Sequence, residues 1–131
     1  MKKLLLSIVT ASLLAGCAAR PSQDEITNAD YGEYPNSYEN VIKNYMFRTL
    51  KDPDSAQYQF LNHPKNGWTV WGGKKFGYVV CAYINAKNSY GGYTGSKLSY
   101  FMIRNNAVVS HIGGGDQYSE SAAKGACEPF V

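Results

Sequence analysis

The chain has 131 residues, which is the length of a single domain. Hydrophobic residues make up 44% of it and charged residues only 18%, a balance that excludes collagen-like, charge-rich disordered and coiled-coil proteins. The formal net charge is +3, but Lys2 and Lys3 lie in a segment that we expect to be removed. The remaining eleven basic and ten acidic residues nearly cancel, so no nucleic-acid-binding face is predicted.

The N-terminus has the features of a secretory signal peptide. Lys2 and Lys3 precede an apolar run of eleven residues, Leu4 to Leu14, and small residues follow. As a helix, this run would rise only about 16 Å, which is too short for a membrane core of about 30 Å. The segment therefore predicts export rather than a membrane span.

The end of this segment, Leu14-Ala15-Gly16-Cys17, resembles the lipobox of bacterial lipoproteins. The resemblance implies that residues 1–16 are removed and that Cys17 becomes the lipidated first residue, which attaches the protein to a membrane. In Gram-negative lipoproteins an Asp after the lipidated Cys favours the inner membrane, and here Ala18 implies the periplasmic side of the outer membrane. Two or three acyl chains, at about 0.8 kcal/mol per buried CH₂, would anchor the chain stably. The alternative is ordinary cleavage after Ala18 or Ala19, with a free Cys17.

If Cys17 is lipidated, two cysteines remain, Cys81 in a strand-like run and Cys127 near the C-terminus. An even pair in an exported chain predicts a disulfide. It would close a loop of about 46 residues and stabilise the fold by roughly 4 kcal/mol. The alternatives are a metal site or a catalytic thiol. However, the chain has no Cys-x-x-Cys motif and His63 and His111 lack ligand spacing, so neither metal nor cofactor is predicted.

Residues 17–34 are polar after the small residues at their start, and they show no hydrophobic period. They contain one aliphatic side chain that is neither alanine nor proline, Ile26. Such a stretch is typical of a flexible tether, about 20–25 Å long on average.

A helical stripe of apolar residues lies within residues 35–51. Its members are Tyr38, Val41, Ile42, Tyr45, Met46, Thr49 and Leu50. Asn36 and Glu39 have the spacing of a capping box, and Pro53 predicts that the helix ends just before it. Residues 52–55 match a type I turn.

Alternation of polar and apolar residues predicts strands downstream. The predicted strands are residues 56–60, 68–71, 76–85, 97–104 and 107–112, and a short helix is predicted for residues 117–124. Gly72-Gly73 and Asn105-Asn106 favour hairpin turns. Residues 35–131 are therefore predicted to form one α+β domain, in which an N-terminal amphipathic helix packs on an antiparallel sheet of four to five strands.

The segment between two predicted strands, residues 85–96, is long for a hairpin loop and rich in Tyr, Gly, Ser and Asn. This mixture is typical of binding loops, in which tyrosines offer rigid contact area and small residues adapt. The candidate contact residues are Asn88, Tyr90, Gly91, Gly92 and Tyr93. Alternatively, the glycines serve turn geometry and the tyrosines pack on the sheet.

Other segments give weaker signals. Trp68 and Trp71 would stack on sugars of peptidoglycan or lipopolysaccharide, or form the cross-strand pairs of a hairpin. Asp52 and Asp54 are close in sequence but lack the oxygen spacing of a calcium loop. No catalytic residue is predicted.

Two motifs outside the signal resemble a group of small exported bacterial proteins and lipoproteins. The motifs are residues 50–56 (LKDPDSA) and 85–95 (NAKNSYGGYTG), together with Cys81. The similarity spans residues 38–101 and implies a single domain, but no activity.

We therefore expect a non-enzymatic outer-membrane lipoprotein whose periplasmic domain binds another envelope protein, as an accessory of an envelope or secretion assembly. An inhibitor or immunity protein acting against a wall-degrading enzyme or a phage is one alternative, and a glycan-binding module is another.

Overall fold

The structure is a computed structural model that describes residues 19–131, so Cys17 and the predicted signal peptide lie outside the described residues. Its elements are α1 (Gln23–Asn28), α2 (Tyr38–Phe47), β1 (Asp52–Phe60), β2 (Lys65–Thr69), β3 (Lys75–Lys87), β4 (Lys97–Arg104), β5 (Ala107–Gly113) and α3 (Gln117–Cys127), followed by a 3₁₀ turn (Glu128–Phe130). The five strands form one antiparallel sheet. The predicted α+β class and antiparallel sheet are confirmed.

Strand β3, thirteen residues long, is the centre of the sheet. One edge of it pairs with β4, which pairs in turn with β5. On its other edge the first half pairs with β2 and the second half with β1, so those two strands lie end to end. The β2–β3 turn and the β3–β4 loop are consequently at opposite ends of the longest strand.

Each face of the sheet carries a hydrophobic core, because successive side chains of a strand point to opposite faces. On one face, α2 contributes to the cluster of Ile42, Met46, Val80, Ala82, Ile84, Phe101 and Ile103. On the other, α3 contributes to the cluster of Val79, Cys81, Leu98, Tyr100, Met102, Ala123 and Cys127. Burial on both faces explains why the sequences of β3 and β4 are almost continuously apolar.

The predicted disulfide between Cys81 and Cys127 is confirmed, with Cα atoms 6.0 Å apart. Both cysteines are fully buried. The bond joins the last residue of α3 to the middle of β3, so it fixes the C-terminal helix to the centre of the sheet.

The helix predicted within residues 35–51 is present but shorter, since α2 spans only Tyr38–Phe47. Its N-cap is Ser37, and no side chain caps its first turn, so the predicted capping box of Asn36 and Glu39 is wrong. The backbone closes this end instead, because the Tyr38 amide donates to the Pro35 carbonyl at 3.0 Å.

The type I turn predicted for residues 52–55 is also wrong, because these residues begin strand β1. Proline is tolerated there because β1 is an edge strand, and Pro53 has no amide to donate to the ladder. The pairing register with β3 shifts between Asp52 and Gln57, which marks a bulge or irregularity next to the proline.

The later hairpins agree closely with the sequence. Asn105 and Asn106 have positive φ values of 50° and 58°, as a two-residue turn between β4 and β5 requires. Gly72 and Gly73 also have positive φ, in the turn before β3. Strand β2 begins earlier than predicted, at Lys65, and ends at Thr69.

Residues 20–34, which we call the N-terminal segment, differ from the predicted flexible tether. They contain the helix α1, which begins with a capping box of Ser22 and Glu25. The Ser22 hydroxyl accepts from the Glu25 amide at 3.2 Å, and the Glu25 carboxylate accepts from the Ser22 amide at 2.7 Å. The same carboxylate pairs with Lys74 at 2.6 Å, which links α1 to the β2–β3 turn. These contacts lower the pKa of Glu25, the Lys74 hydrogen bond most strongly.

Aromatic and ionic contacts hold the rest of the N-terminal segment on the domain. The Tyr31 ring meets Phe76 edge-on at a centroid distance of 5.7 Å. Asp30 pairs with Arg104 at 3.2 Å, and its backbone carbonyl accepts a second hydrogen bond from the same guanidinium. The packed domain therefore starts well before residue 35, the predicted boundary.

Candidate functional site

The predicted binding loop is closed by its own backbone. Strand β3 runs on to Lys87, and Lys87 forms a bridge with Tyr93 across the loop. The Asn88 amide donates to the Gly92 carbonyl at 2.8 Å, and the Gly91 amide donates to the Asn88 carbonyl at 3.1 Å. The segment between β3 and β4 is thus a narrow hairpin extension rather than an open loop.

Asn88 organises the tip of this extension. Its side-chain oxygen Oδ1 accepts from the amides of Tyr90, at 2.9 Å, and Gly92, at 3.2 Å. Gly91 between them has φ +79°, a conformation that other residues rarely adopt. Asparagine and glycine at these positions therefore set the shape of the tip. This agrees with the alternative that the glycines of the loop serve turn geometry.

The two loop tyrosines have different environments. The Tyr93 hydroxyl donates to the Ser55 carbonyl of β1 at 3.1 Å, and the Lys87 ammonium lies 5.4 Å from the Tyr93 ring centroid. Tyr90 stands at the tip with 96% of its surface exposed. Tyr93 therefore attaches the loop to β1, and Tyr90 is the more exposed of the two aromatic residues.

A cleft of about 830 Å³ lies at the other end of β3, beside β2. Its walls come from α1, β2, the β2–β3 turn, β4, β5, α3 and the 3₁₀ turn. The large side chains that line it include Ile26, Tyr31, Trp68, Trp71, Tyr100, Ile112 and Phe130. Its volume and aromatic lining are typical of small-molecule sites.

Arg20 is the only charged residue among the described residues that line the cleft. Its guanidinium carbon lies 5.4 Å from the centroid of the Trp68 ring, within range of a cation–π interaction. Tyr100 lies in the same lining and is almost fully buried, and burial raises the pKa of its phenol to about 12. The phenol is therefore neutral at physiological pH, and Arg20 supplies the formal charge of the lining.

The sequence predicts only part of the cleft. Trp68 and Trp71 are candidates for sugar stacking, but the predicted tether contains Arg20 and Ile26, and no pattern points to Phe130. The Ser22-x-x-Glu25 capping box is the signal in the sequence that marks a helix start and thus an ordered N-terminal segment.

Neither histidine lines the cleft. The His111 ring stacks on Phe101 at a centroid distance of 4.7 Å and meets Tyr45 edge-on. Burial lowers the pKa of His111, and its Nε2 has no hydrogen-bond partner. Within residues 19–131, no three side chains of the His, Cys, Asp and Glu types converge as metal ligands.

Comparison of the chain with protein-family models, with curated proteins and with solved structures gives no match. In the described part of the chain, no helix is both long enough and apolar enough to span a membrane.

Proposed function

We propose that this protein is a non-enzymatic, lipid-anchored binding module of the outer membrane that holds another envelope protein through the loop of residues 88–93. The observation that carries the proposal is the exposure of Tyr90 on a loop tip that Asn88 holds in one shape. A tyrosine buries a large area on binding and loses little side-chain entropy. A tip that is already ordered adds little further cost to association.

The position of the loop supports the same proposal. Phe76, beside the β2–β3 turn, and Asn88 in the loop are twelve positions apart along β3 and just beyond it. At the rise of a strand this is a distance of about 40 Å. Arg20 lies at the β2–β3 end and is three residues from Cys17, so an anchor on Cys17 would leave the loop facing away from the membrane.

The test is co-purification of the tagged, lipidated protein from crosslinked cells. We expect Tyr90→Ala to lose a partner that the native protein retains, because the substitution removes most of the contact area at the tip. Phe47→Ala is the matched control, since Phe47 is an exposed aromatic residue, 57% accessible, on α2. Equal recovery of every partner with both variants would contradict the proposal.

The identity of the recovered protein then separates two biological roles. A resident envelope or secretion component would make the chain an accessory of that assembly. A wall-degrading enzyme or a phage protein would make it an inhibitor or immunity protein, with the same loop as its contact surface.

A further inference from the structure

The path of the N-terminal segment brings the predicted anchor close to the aromatic cleft. Arg20 lines the cleft and is stacked over Trp68. Arg20 is three positions after Cys17, so the chain between them reaches at most about 10 Å. Because the N-terminal segment is packed on the domain, a lipid on Cys17 would lie beside the cleft.

An exposed aromatic side chain borders this end of the domain. Trp71 is 69% exposed and lines both the cleft and a shallower hollow of about 380 Å³. Large exposed aromatic side chains are costly to leave in water, whereas Trp and Tyr are favoured at the level of lipid headgroups.

We propose that the cleft end of the domain rests on the phospholipid surface of the membrane that holds the anchor. Trp71 lies in the headgroup layer, and the cleft receives part of a neighbouring phospholipid. Arg20 faces its phosphate, and the aromatic walls contact its glycerol and upper acyl region. This inference rests on the lipidation of Cys17 in the proposed function.

The chemistry of the cleft favours a phospholipid over a glycan. A phospholipid has one anionic group next to apolar chains, and the described lining has one cation, Arg20, among mostly apolar and aromatic side chains. A neutral sugar chain needs several hydrogen-bonding side chains to fix its hydroxyl groups. Besides Thr27, Asn66 and Thr69, the described lining offers the phenols of Tyr31 and Tyr100 and the two indole N–H groups, and the Tyr31 hydroxyl already donates to the Ile26 carbonyl.

Intrinsic fluorescence tests the inference on the native lipidated protein, because Trp68 and Trp71 are the two tryptophans of the chain and both line the cleft. The protein is reconstituted into vesicles of phosphatidylethanolamine and phosphatidylglycerol that contain acyl-brominated phosphatidylcholine as the quencher. We expect the tryptophan emission to lose most of its intensity relative to unbrominated vesicles. Unchanged emission from vesicle-bound protein would overturn the inference.

The matched control moves the fluorophore to the other end of the domain. In a Trp68→Phe, Trp71→Phe, Tyr90→Trp variant, the single tryptophan lies in the loop, which follows the opposite end of β3 from the β2–β3 turn. Far-UV circular dichroism confirms that this variant is folded. We expect its emission to be unaffected by the brominated lipid, and equal quenching of both proteins would overturn the inferred orientation.

Flotation of the same vesicles separates this inference from the anchoring on which it rests. If the native protein fails to float, or Cys17→Ala floats as well as the native protein, lipidation as the main anchor is wrong. If the native protein floats but is not quenched, anchoring stands and the membrane-facing cleft is wrong. Without lipid quenching, a change in emission on adding soluble muropeptides would assign the cleft to a glycan.

Discussion

Asn88 determines the shape of the loop because its side-chain oxygen accepts hydrogen bonds from two backbone amides at the tip. We expect Asn88→Ala to raise the opened fraction of the loop roughly tenfold, since each such bond contributes about 0.5–1.5 kcal/mol. Chymotrypsin cleavage after the exposed Tyr90 measures this opening. Asn88→Asp is the control, because a carboxylate oxygen also accepts hydrogen bonds from these amides. We expect Asn88→Ala to be cleaved faster than Asn88→Asp. Similar rates for the native protein and Asn88→Ala would show that the backbone alone holds the tip.

His111 makes the stability of the domain depend on pH. Burial lowers its pKa from the ordinary value of 6.5 because the charged ring is poorly solvated between Phe101 and Tyr45. The unfolded chain therefore binds the proton more readily than the folded domain. The stability associated with a neutral His111 is fully present above about pH 6.5, and it is lost as the pH falls through the lower, folded pKa.

We therefore expect the urea midpoint of the native protein to fall between about pH 7.5 and about pH 5.5. His111→Phe keeps a ring to stack on Phe101 and removes the titrating group, so its midpoint should change less over this range. A slope that is the same in both proteins would assign the pH dependence to other groups.

At the scale of elements, the disulfide connects two elements that are far apart in the sequence, β3 and α3. In the chain-entropy model, a closed loop of about 46 residues stabilises the fold by roughly 4 kcal/mol. We expect reduction of the native protein to lower its free energy of unfolding by about that amount in a urea titration. The double variant Cys81→Ala, Cys127→Ala should be unaffected by the reductant. An unchanged urea midpoint in the reduced native protein would mean that packing of α3 alone holds this helix.

The elements that the sequence predicted well are those whose signals are local. Strand β4 and the Asn105-Asn106 turn follow from apolar runs and from the tolerance of asparagine for positive φ. The type I turn at Pro53 failed because the same residues also fit an edge strand, and only the pairing of β1 with β3 decides between them.

The prediction of a flexible tether at the N-terminus was wrong for a related reason. Polar residues without a period are typical of a tether, but this segment is held by contacts with residues far along the chain. Tyr31 packs on Phe76, Glu25 pairs with Lys74, and Asp30 pairs with Arg104. The capping box was visible in the sequence, but the partners of α1 required the folded sheet.

At the scale of the whole molecule, the candidate sites lie at the two ends of β3. The loop was predictable because its composition is unusual over a short stretch. The cleft was not, because its walls come from α1, β2, β4, β5, α3 and the 3₁₀ turn, which only the fold brings together. In our proposals, the cleft end of the domain rests on the membrane and the loop end binds a protein partner.

Site-specific photocrosslinking in cells tests this arrangement most directly. A photoreactive amino acid replaces Tyr90 at the loop tip or Trp71 at the cleft end, and each lipidated variant is irradiated and resolved by mass spectrometry. We predict one discrete protein adduct from position 90 and adducts with phospholipid, but no such protein adduct, from position 71. A protein adduct from position 71 together with none from position 90 would contradict the account.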